Sequence, residues 1–127
     1  MEPIVRGMTW PVIALLIVGA SHLGAEAIRP DLRESLTPSA LIPFYLAVGA
    51  WTGDATIRAG GSFVHGIVAG ALLGLLPVIL QVVGFGLLLG RPVDAVTSAA
   101  FVGAFAIFWG GVVGSGFGQG RTTTPAR

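Results

Sequence analysis

Apolar residues dominate four long segments of the chain, and polar residues, glycine and proline separate these segments. A membrane-spanning helix needs about 20 mainly apolar residues, because the hydrocarbon core is about 30 Å thick and each residue rises about 1.5 Å. The segments that meet this requirement cover residues 8–28, 38–57, 62–89 and 95–117. The pattern predicts four transmembrane helices in a single domain of residues 1–127, with a loose polar tail over residues 119–127.

Local signals mark the ends of these segments. The first stops at Arg29–Pro30, because proline disfavours a helical conformation in the residue before it. The second opens at Thr37–Pro38, where a capping residue precedes a proline in the first helical position. The third closes at Gly90–Pro92, and Asp94 is a suitable cap for the start of the fourth.

Short links join the predicted helices and fix their directions. Links of this kind make neighbouring helices antiparallel, so we expect an all-α integral membrane protein with four transmembrane helices in an up-down-up-down bundle. The seven arginines then divide between the two sides as Arg6, Arg58, Arg121 and Arg127 against Arg29, Arg33 and Arg91. The side that carries the two termini has one arginine more than the other. Because basic residues are enriched on the cytoplasmic side of membrane proteins, this excess slightly favours a cytoplasmic location for both termini.

The N-terminal segment admits a second interpretation. Arg6, the apolar run over residues 11–20 and the small residues beside Glu26 resemble a secretory signal with a cleavage site. Cleavage would leave three spans. We favour an uncleaved segment, because residues 21–27 can continue the first helix to Arg29–Pro30.

The composition agrees with a membrane location. Hydrophobic residues make up 54% of the 127 residues and charged residues 10%, and the mean hydropathy is +0.86. Such a chain has too little polar surface for a soluble globule and too little charge for a disordered segment. Of the seven basic and six acidic residues, only Glu26 and Asp54 fall within the predicted spans.

The same composition excludes several partners and cofactors. The chain has no cysteine, which excludes disulfides, cysteine-ligated zinc, iron–sulfur clusters and thiol catalysis. Its net charge is +1 and its arginines are scattered, so nucleic acid is not an expected partner. The absence of lysine suggests a GC-rich microbial genome, and hence a prokaryotic plasma membrane as the location of this multi-pass protein.

Glycine is the other departure from average usage, with 20 residues. Small residues spaced by four let helix backbones approach closely in a membrane. Such spacing occurs on the second, third and fourth predicted helices at Gly49 and Gly53, at Gly66, Gly70 and Gly74, and at Gly110, Gly114 and Gly118. We expect these faces to pack the three helices together in one leaflet and to leave the opposite end of the bundle wider. A homo-oligomeric interface is the alternative use for some of them.

Ionisable residues inside a membrane are costly and raise a functional hypothesis. Asp54 and Arg58 lie near the end of the second predicted helix, and His65 lies near the start of the third. Because the two helices are adjacent, we expect these three residues to form one polar cluster. The interpretation that we favour is a hydrogen-bonded clasp, and the alternative is a proton relay or a solute site.

A second polar cluster is expected at the opposite end. His22 and Glu26 are four residues apart on one helix face, and Gln81 falls at a similar depth, beyond a helix-distorting Pro77. The favoured interpretation is that Glu26 reaches the headgroups, toward Arg29 or Arg33 beyond the helix end, and that His22 is a satisfied core residue. The alternative is a small cavity beside the distorted helix.

Neither histidine is expected to hold a cofactor or a metal. By helix rise, His22 lies about 21 Å from the membrane face at which His65 lies only about 5 Å deep, so one haem iron cannot bind both. Zinc is disfavoured by the same separation and by the shortage of further ligands. No serine has a base placed to activate it, so we expect no catalytic residue and no enzymatic activity.

These observations favour a structural or accessory membrane protein that self-associates through its glycine-rich helix faces. Its expected partners are the lipid bilayer and either further copies of itself or a larger membrane complex. The alternative is a minimal oligomeric transporter or channel for a small solute, an ion or a proton, with a path past one of the two polar clusters.

Overall fold

The computed structural model describes residues 1–33 and 41–123, which are almost entirely helical and include no strand. The elements are α1 (Glu2–Ile28), a short 3-10 helix (Pro30–Arg33), α2 (Ile42–Arg58), α3 (Phe63–Leu88) and α4 (Val93–Thr123). Three of these helices, α1, α3 and α4, are long and apolar enough to cross a membrane. The prediction of an all-helical chain with helices of membrane length is confirmed.

Two helix ends differ from the predicted boundaries. α1 begins at Glu2 rather than at residue 8, because Pro3 suits the first turn of a helix and Glu2 forms an ion pair with Arg6 one turn later. α4 continues to Thr123, so residues 119–123 are helical where a loose tail was expected. The predicted start of the second helix at Thr37–Pro38 lies outside the described residues, as does the end of the tail.

α3 is irregular in its second half. Pro77 has no backbone N–H, so the carbonyl of Leu73 loses its helical partner, and the regular helix is interrupted at Gly74. The last nine residues, Leu80–Leu88, form a π-helix. Just beyond it, the N–H of Leu89 bonds five residues back to the carbonyl of Gly84 at 3.1 Å. The distortion therefore begins one turn before the predicted position at Pro77 and extends to the end of α3.

Contacts between helices define their relative directions. α2 and α4 run in the same direction, because Gly49 lies against Gly110 in the middle of α2 and Ile57 lies against Gly118 near its end. α3 runs opposite to α4, since Gly66 meets Ser115 and Gly74 meets Ala104. α1 packs on α2 and α3, and it runs opposite to α2, because Gly7 near its start lies against Thr56 near the end of α2. Consecutive long helices are therefore antiparallel.

The hydrophobic core takes one residue from each long helix. Leu15, Val48, Leu73 and Ile107 pack together and are at most 4% exposed. The outer surface is also apolar, and it includes Trp10 and Ile17 on α1 as well as Phe101 and Phe117 on α4, each more than 60% exposed. Large exposed side chains of this kind are expected to face lipid rather than water.

Candidate functional site

Glycines bring the backbones of α2, α3 and α4 into direct contact. A Cβ atom at Gly49 would lie 3.0 Å from the Cα atom of Gly110, and one at Gly70 would lie 3.1 Å from the Cα atom of Gly111. At Gly114 an added Cβ would come within 2.6 Å of the Cα atom of Ala50. Each of the glycines singled out in the sequence meets a neighbouring helix in this way: Gly49, Gly53, Gly66, Gly70, Gly74, Gly110, Gly114 and Gly118.

Buried hydroxyl groups line the same contact region. Thr52, Thr56 and Ser115 are fully buried, and each hydroxyl donates a hydrogen bond to the carbonyl four residues earlier in its own helix, at 2.6 to 2.8 Å. These bonds satisfy the hydroxyls without a partner from another helix. The sequence analysis did not identify this group, which the spacing of Thr52 and Thr56 on one helix face could have indicated.

The first polar cluster forms around Asp54. Its Oδ2 atom lies 3.0 Å from the Arg58 guanidinium, one turn later in α2, and 3.5 Å from the Arg121 guanidinium of α4. The Asp54 side chain is 13% exposed, whereas both arginines are largely exposed. The structure therefore brings Asp54 and Arg58 together and adds Arg121, which lies in the part of α4 expected to be a loose tail.

His65 is placed differently. Its Nδ1 atom accepts a hydrogen bond from the backbone N–H of Ser62 at 3.0 Å and lies 2.8 Å from the Ser62 hydroxyl. This reciprocal arrangement is a capping box at the start of α3, with histidine in the position that glutamate usually fills. The hydrogen bonds of His65 thus serve its own helix end rather than Asp54 or Arg58. A serine three residues before His65 is the signal that could have indicated it.

The second polar cluster centres on a buried ion pair. Glu26 is 2% exposed, and its Oε1 atom accepts a hydrogen bond of 2.7 Å from Nε of Arg91, which lies between α3 and α4. Nε2 of His22 lies 3.6 Å from the other carboxylate oxygen. The Arg91 guanidinium stands 4.8 Å from the ring centre of Phe85, whose ring also contacts that of His22.

Arg29, one of the two arginines toward which Glu26 was expected to reach, pairs with Asp31 instead. Its guanidinium donates two hydrogen bonds to Asp31, at 2.9 and 3.1 Å. This exposed pair lies beyond the end of α1, and the hydrogen bonds from Arg29 hold the pKa of Asp31 below its ordinary value. The side chain of Arg33 is outside the described part of the structure.

Gln81 and His22 line a small cavity between α1, α2 and α3. Its volume is about 20 Å³, and its remaining wall is mainly apolar, with Tyr45, Pro77 and Phe85 among the lining residues. Gln81 is 7% exposed, and its Oε1 atom has no hydrogen-bond partner in the described part of the chain. The predicted juxtaposition of His22, Glu26 and Gln81 is therefore present, with Arg91 as a fourth member.

The arrangement pairs its charges and offers no group of three or more histidine, aspartate or glutamate residues, within the described ranges, that could hold a metal ion. The polar side chains that could act chemically form two clusters at opposite ends of the bundle. Direct glycine contacts pack α2, α3 and α4 together. Comparison of the chain with known protein families, with curated proteins and with solved structures finds no match.

Proposed function

We propose that this protein is a structural or accessory bundle of four transmembrane helices, up-down-up-down, that does no catalytic chemistry. We place it in a prokaryotic plasma membrane with both termini in the cytoplasm. The observation that carries the proposal is the direct backbone contact of α2, α3 and α4, exemplified by the approach of Gly70 to Gly111. Contact of this kind closes the space between the three helices.

The assignment of α2 as a span rests on its position beside α4. α2 has 17 described residues, equivalent to about 26 Å of helix. It follows α4 in the same direction, from Gly49 beside Gly110 to Ile57 beside Gly118. Because α4 is long and apolar enough to cross a membrane, a helix that follows it closely shares its depth.

The size of the internal cavity supports a closed bundle. The space beside His22 and Gln81 has a volume of about 20 Å³, which is room for one water molecule rather than for a solute. The carboxylates near the two membrane faces also form ion pairs. Asp54 pairs with Arg58 and Arg121, and Glu26 pairs with Arg91. Paired charges of this kind can fix the register of helices at a cost in desolvation.

We also propose that the protein self-associates, through a face of α4 rather than through the glycines inside the bundle. Gly116 and Gly120 are one turn apart, and an added Cβ at either would meet no atom of the described residues within 4 Å. They lie in an open groove with Phe63 and Phe117, and the helix spacing is the one that permits close approach of two helices. A second copy presents the same face, so a symmetric pair can close.

The stoichiometry of the complex purified from its native membrane tests this proposal. We expect a fixed multiple of the chain, alone or with a constant partner protein. The paired substitution Gly116→Leu and Gly120→Leu should reduce the complex to single copies while leaving the fold intact. A complex that contains one copy in the wild-type protein would contradict self-association.

A transporter or channel is the second candidate, and one observation favours it. Glu26, His22, Gln81 and Arg91 form a polar group next to a helix whose regular hydrogen bonding is broken, as expected for an ion or proton path. A protein with such a path should dissipate a proton or ion gradient across a membrane. Loss of such flux on Glu26→Gln or Asp54→Asn would favour this candidate over the structural one.

A further inference from the structure

Two residues that line the cavity each have a buried polar atom without a hydrogen-bond partner in the described part of the chain. Oε1 of Gln81, on α3, and Nε2 of His22, on α1, are both buried and make no hydrogen bond with any described residue. The nearest carboxylate oxygen to Nε2 of His22 is 3.6 Å away, beyond hydrogen-bond distance. Buried polar atoms of this kind cost about 1–3 kcal/mol each when left unsatisfied, so they normally have a partner.

The cavity that both side chains line has the right size for one small partner. Its volume of about 20 Å³ exceeds the ~10–15 Å³ needed for one water molecule and is too small for two. A water molecule can donate to Oε1 of Gln81 and can either donate to or accept from Nε2 of His22, whichever ring nitrogen carries the proton. Apart from Tyr45, the remaining wall is apolar and includes Leu15, Val18 and Leu80.

The local backbone offers a second reason to place a ligand here. Gln81 and Phe85 lie in the π-helical part of α3, a rare conformation that occurs frequently at functional sites. The charged groups nearest to His22 are Glu26 on its own helix and Arg91 beyond α3, and Tyr45 is the titratable residue of α2 that lines the cavity.

We propose that this cavity is a binding site for a single water molecule that joins Gln81 to His22. The water would connect α3 to the polar group formed by His22, Glu26 and Arg91, and so would tie α1 to α3 at the end of the bundle away from the glycine contacts. The site would be present whether the protein is an accessory subunit or a transporter.

The substitution Val18→Ile tests the proposal, because one added methylene fills the cavity. If a water molecule is bound, the substitution expels it and leaves Gln81 and His22 without a partner. We then expect the folding equilibrium constant in mixed micelles to fall at least about fivefold. In an apolar cavity without water, the same filling would raise the constant by about twofold. The matched control is Val5→Ile at an exposed position on α1, which should change the constant by less than about twofold.

A second background separates loss of water from crowding. A variant that carries His22→Leu and Gln81→Leu lacks both of the unpartnered polar atoms, so Val18→Ile should no longer be destabilising. A penalty that persists in this background would show crowding and overturn the proposal. An unchanged or more stable Val18→Ile protein in the wild-type background would overturn it too.

A direct measurement does not depend on these variants folding well. The side-chain amide protons of Gln81 should show a nuclear Overhauser effect to a long-lived water molecule in the wild-type protein, and Val18→Ile should abolish the signal. Absence of the signal from the wild-type protein would contradict the proposal.

Discussion

Nε of Arg91 donates a hydrogen bond of 2.7 Å to Oε1 of Glu26, although 65 residues of chain separate the two. Both side chains are buried, at 7% and 1% exposure, so each charge depends on the other. The pair joins the last turn of α1 to the link between α3 and α4, at the end of the bundle opposite Asp54.

Removal of either partner should be strongly destabilising. Glu26→Ala or Arg91→Ala removes one partner of this buried ion pair, and we expect the free energy of unfolding to fall by about 3–5 kcal/mol in each case. The double variant Glu26→Leu with Arg91→Met should recover most of this loss, since no charge then remains. Reversible unfolding in mixed micelles measures all three. Single variants that lie within about 1 kcal/mol of the wild-type protein would contradict a coupled buried pair.

The glycine contacts predict opposite effects at two nearby positions on α4. Gly114→Ala places a methyl group within 2.6 Å of the Cα atom of Ala50, and we expect stability to fall by about 1–3 kcal/mol. The methyl group of Gly116→Ala meets no described residue within 4 Å. The substitution should be neutral or stabilising by up to about 1 kcal/mol, because alanine favours a helix more than glycine does. Equal effects at the two positions would argue against close packing of α2 on α4.

The hydrophobic pattern predicted the positions of the helices because a helix of membrane length needs a long apolar run. The long apolar runs of this chain coincide with its long helices. The glycine spacing indicated which helix faces meet. Arg91 was missed because it was interpreted only as part of a helix stop. α1 and α3 run in the same direction, so the residues that follow α3 return to the end where Glu26 lies, and this reasoning could have identified the pair.

Two further features depend on geometry that the sequence does not contain. The π-helical winding of Leu80–Leu88 shifts the faces of α3 relative to a regular helix, and no local signal beyond Pro77 announces it. Arg121 reaches Asp54 only because α4 extends past residue 117. Its role was hidden by the polar composition of the C-terminal residues, which is typical of a loose tail.

The exposed pair beyond α1 predicts a specific pH dependence. Hydrogen bonds from Arg29 lower the pKa of Asp31, so the contribution of this pair to stability is present above the unfolded-state pKa and is lost as the pH falls through the lowered pKa. A carboxyl titration followed by NMR should show the pKa of Asp31 rising toward its ordinary value in Arg29→Gln. Because both groups are exposed, this contribution is small, and the same variant should lower the unfolding midpoint at neutral pH only slightly. An identical Asp31 titration in both proteins would contradict the contact.

The proposed topology predicts which positions a membrane-impermeant thiol reagent reaches. The chain has no cysteine, so single substitutions report cleanly. Asp31→Cys and Asp94→Cys should react in intact cells, whereas Arg6→Cys and Ala59→Cys should react only after the membrane is permeabilised. The reverse result at all four positions would show that both termini lie outside the cell, with the same four spans. Asp31→Cys and Ala59→Cys reacting from the same side would show that α2 does not cross the membrane.

The central claim is that the bundle is closed, and proton flux into liposomes tests it most directly. The purified protein is reconstituted with an internal pH-sensitive dye, a pH gradient is imposed, and an ionophore added at the end shows that the vesicles are intact. We predict that the gradient decays as slowly as in vesicles without protein, and equally slowly with Glu26→Gln or Asp54→Asn. Faster decay with the wild-type protein that either substitution abolishes would contradict a structural role and establish a proton path.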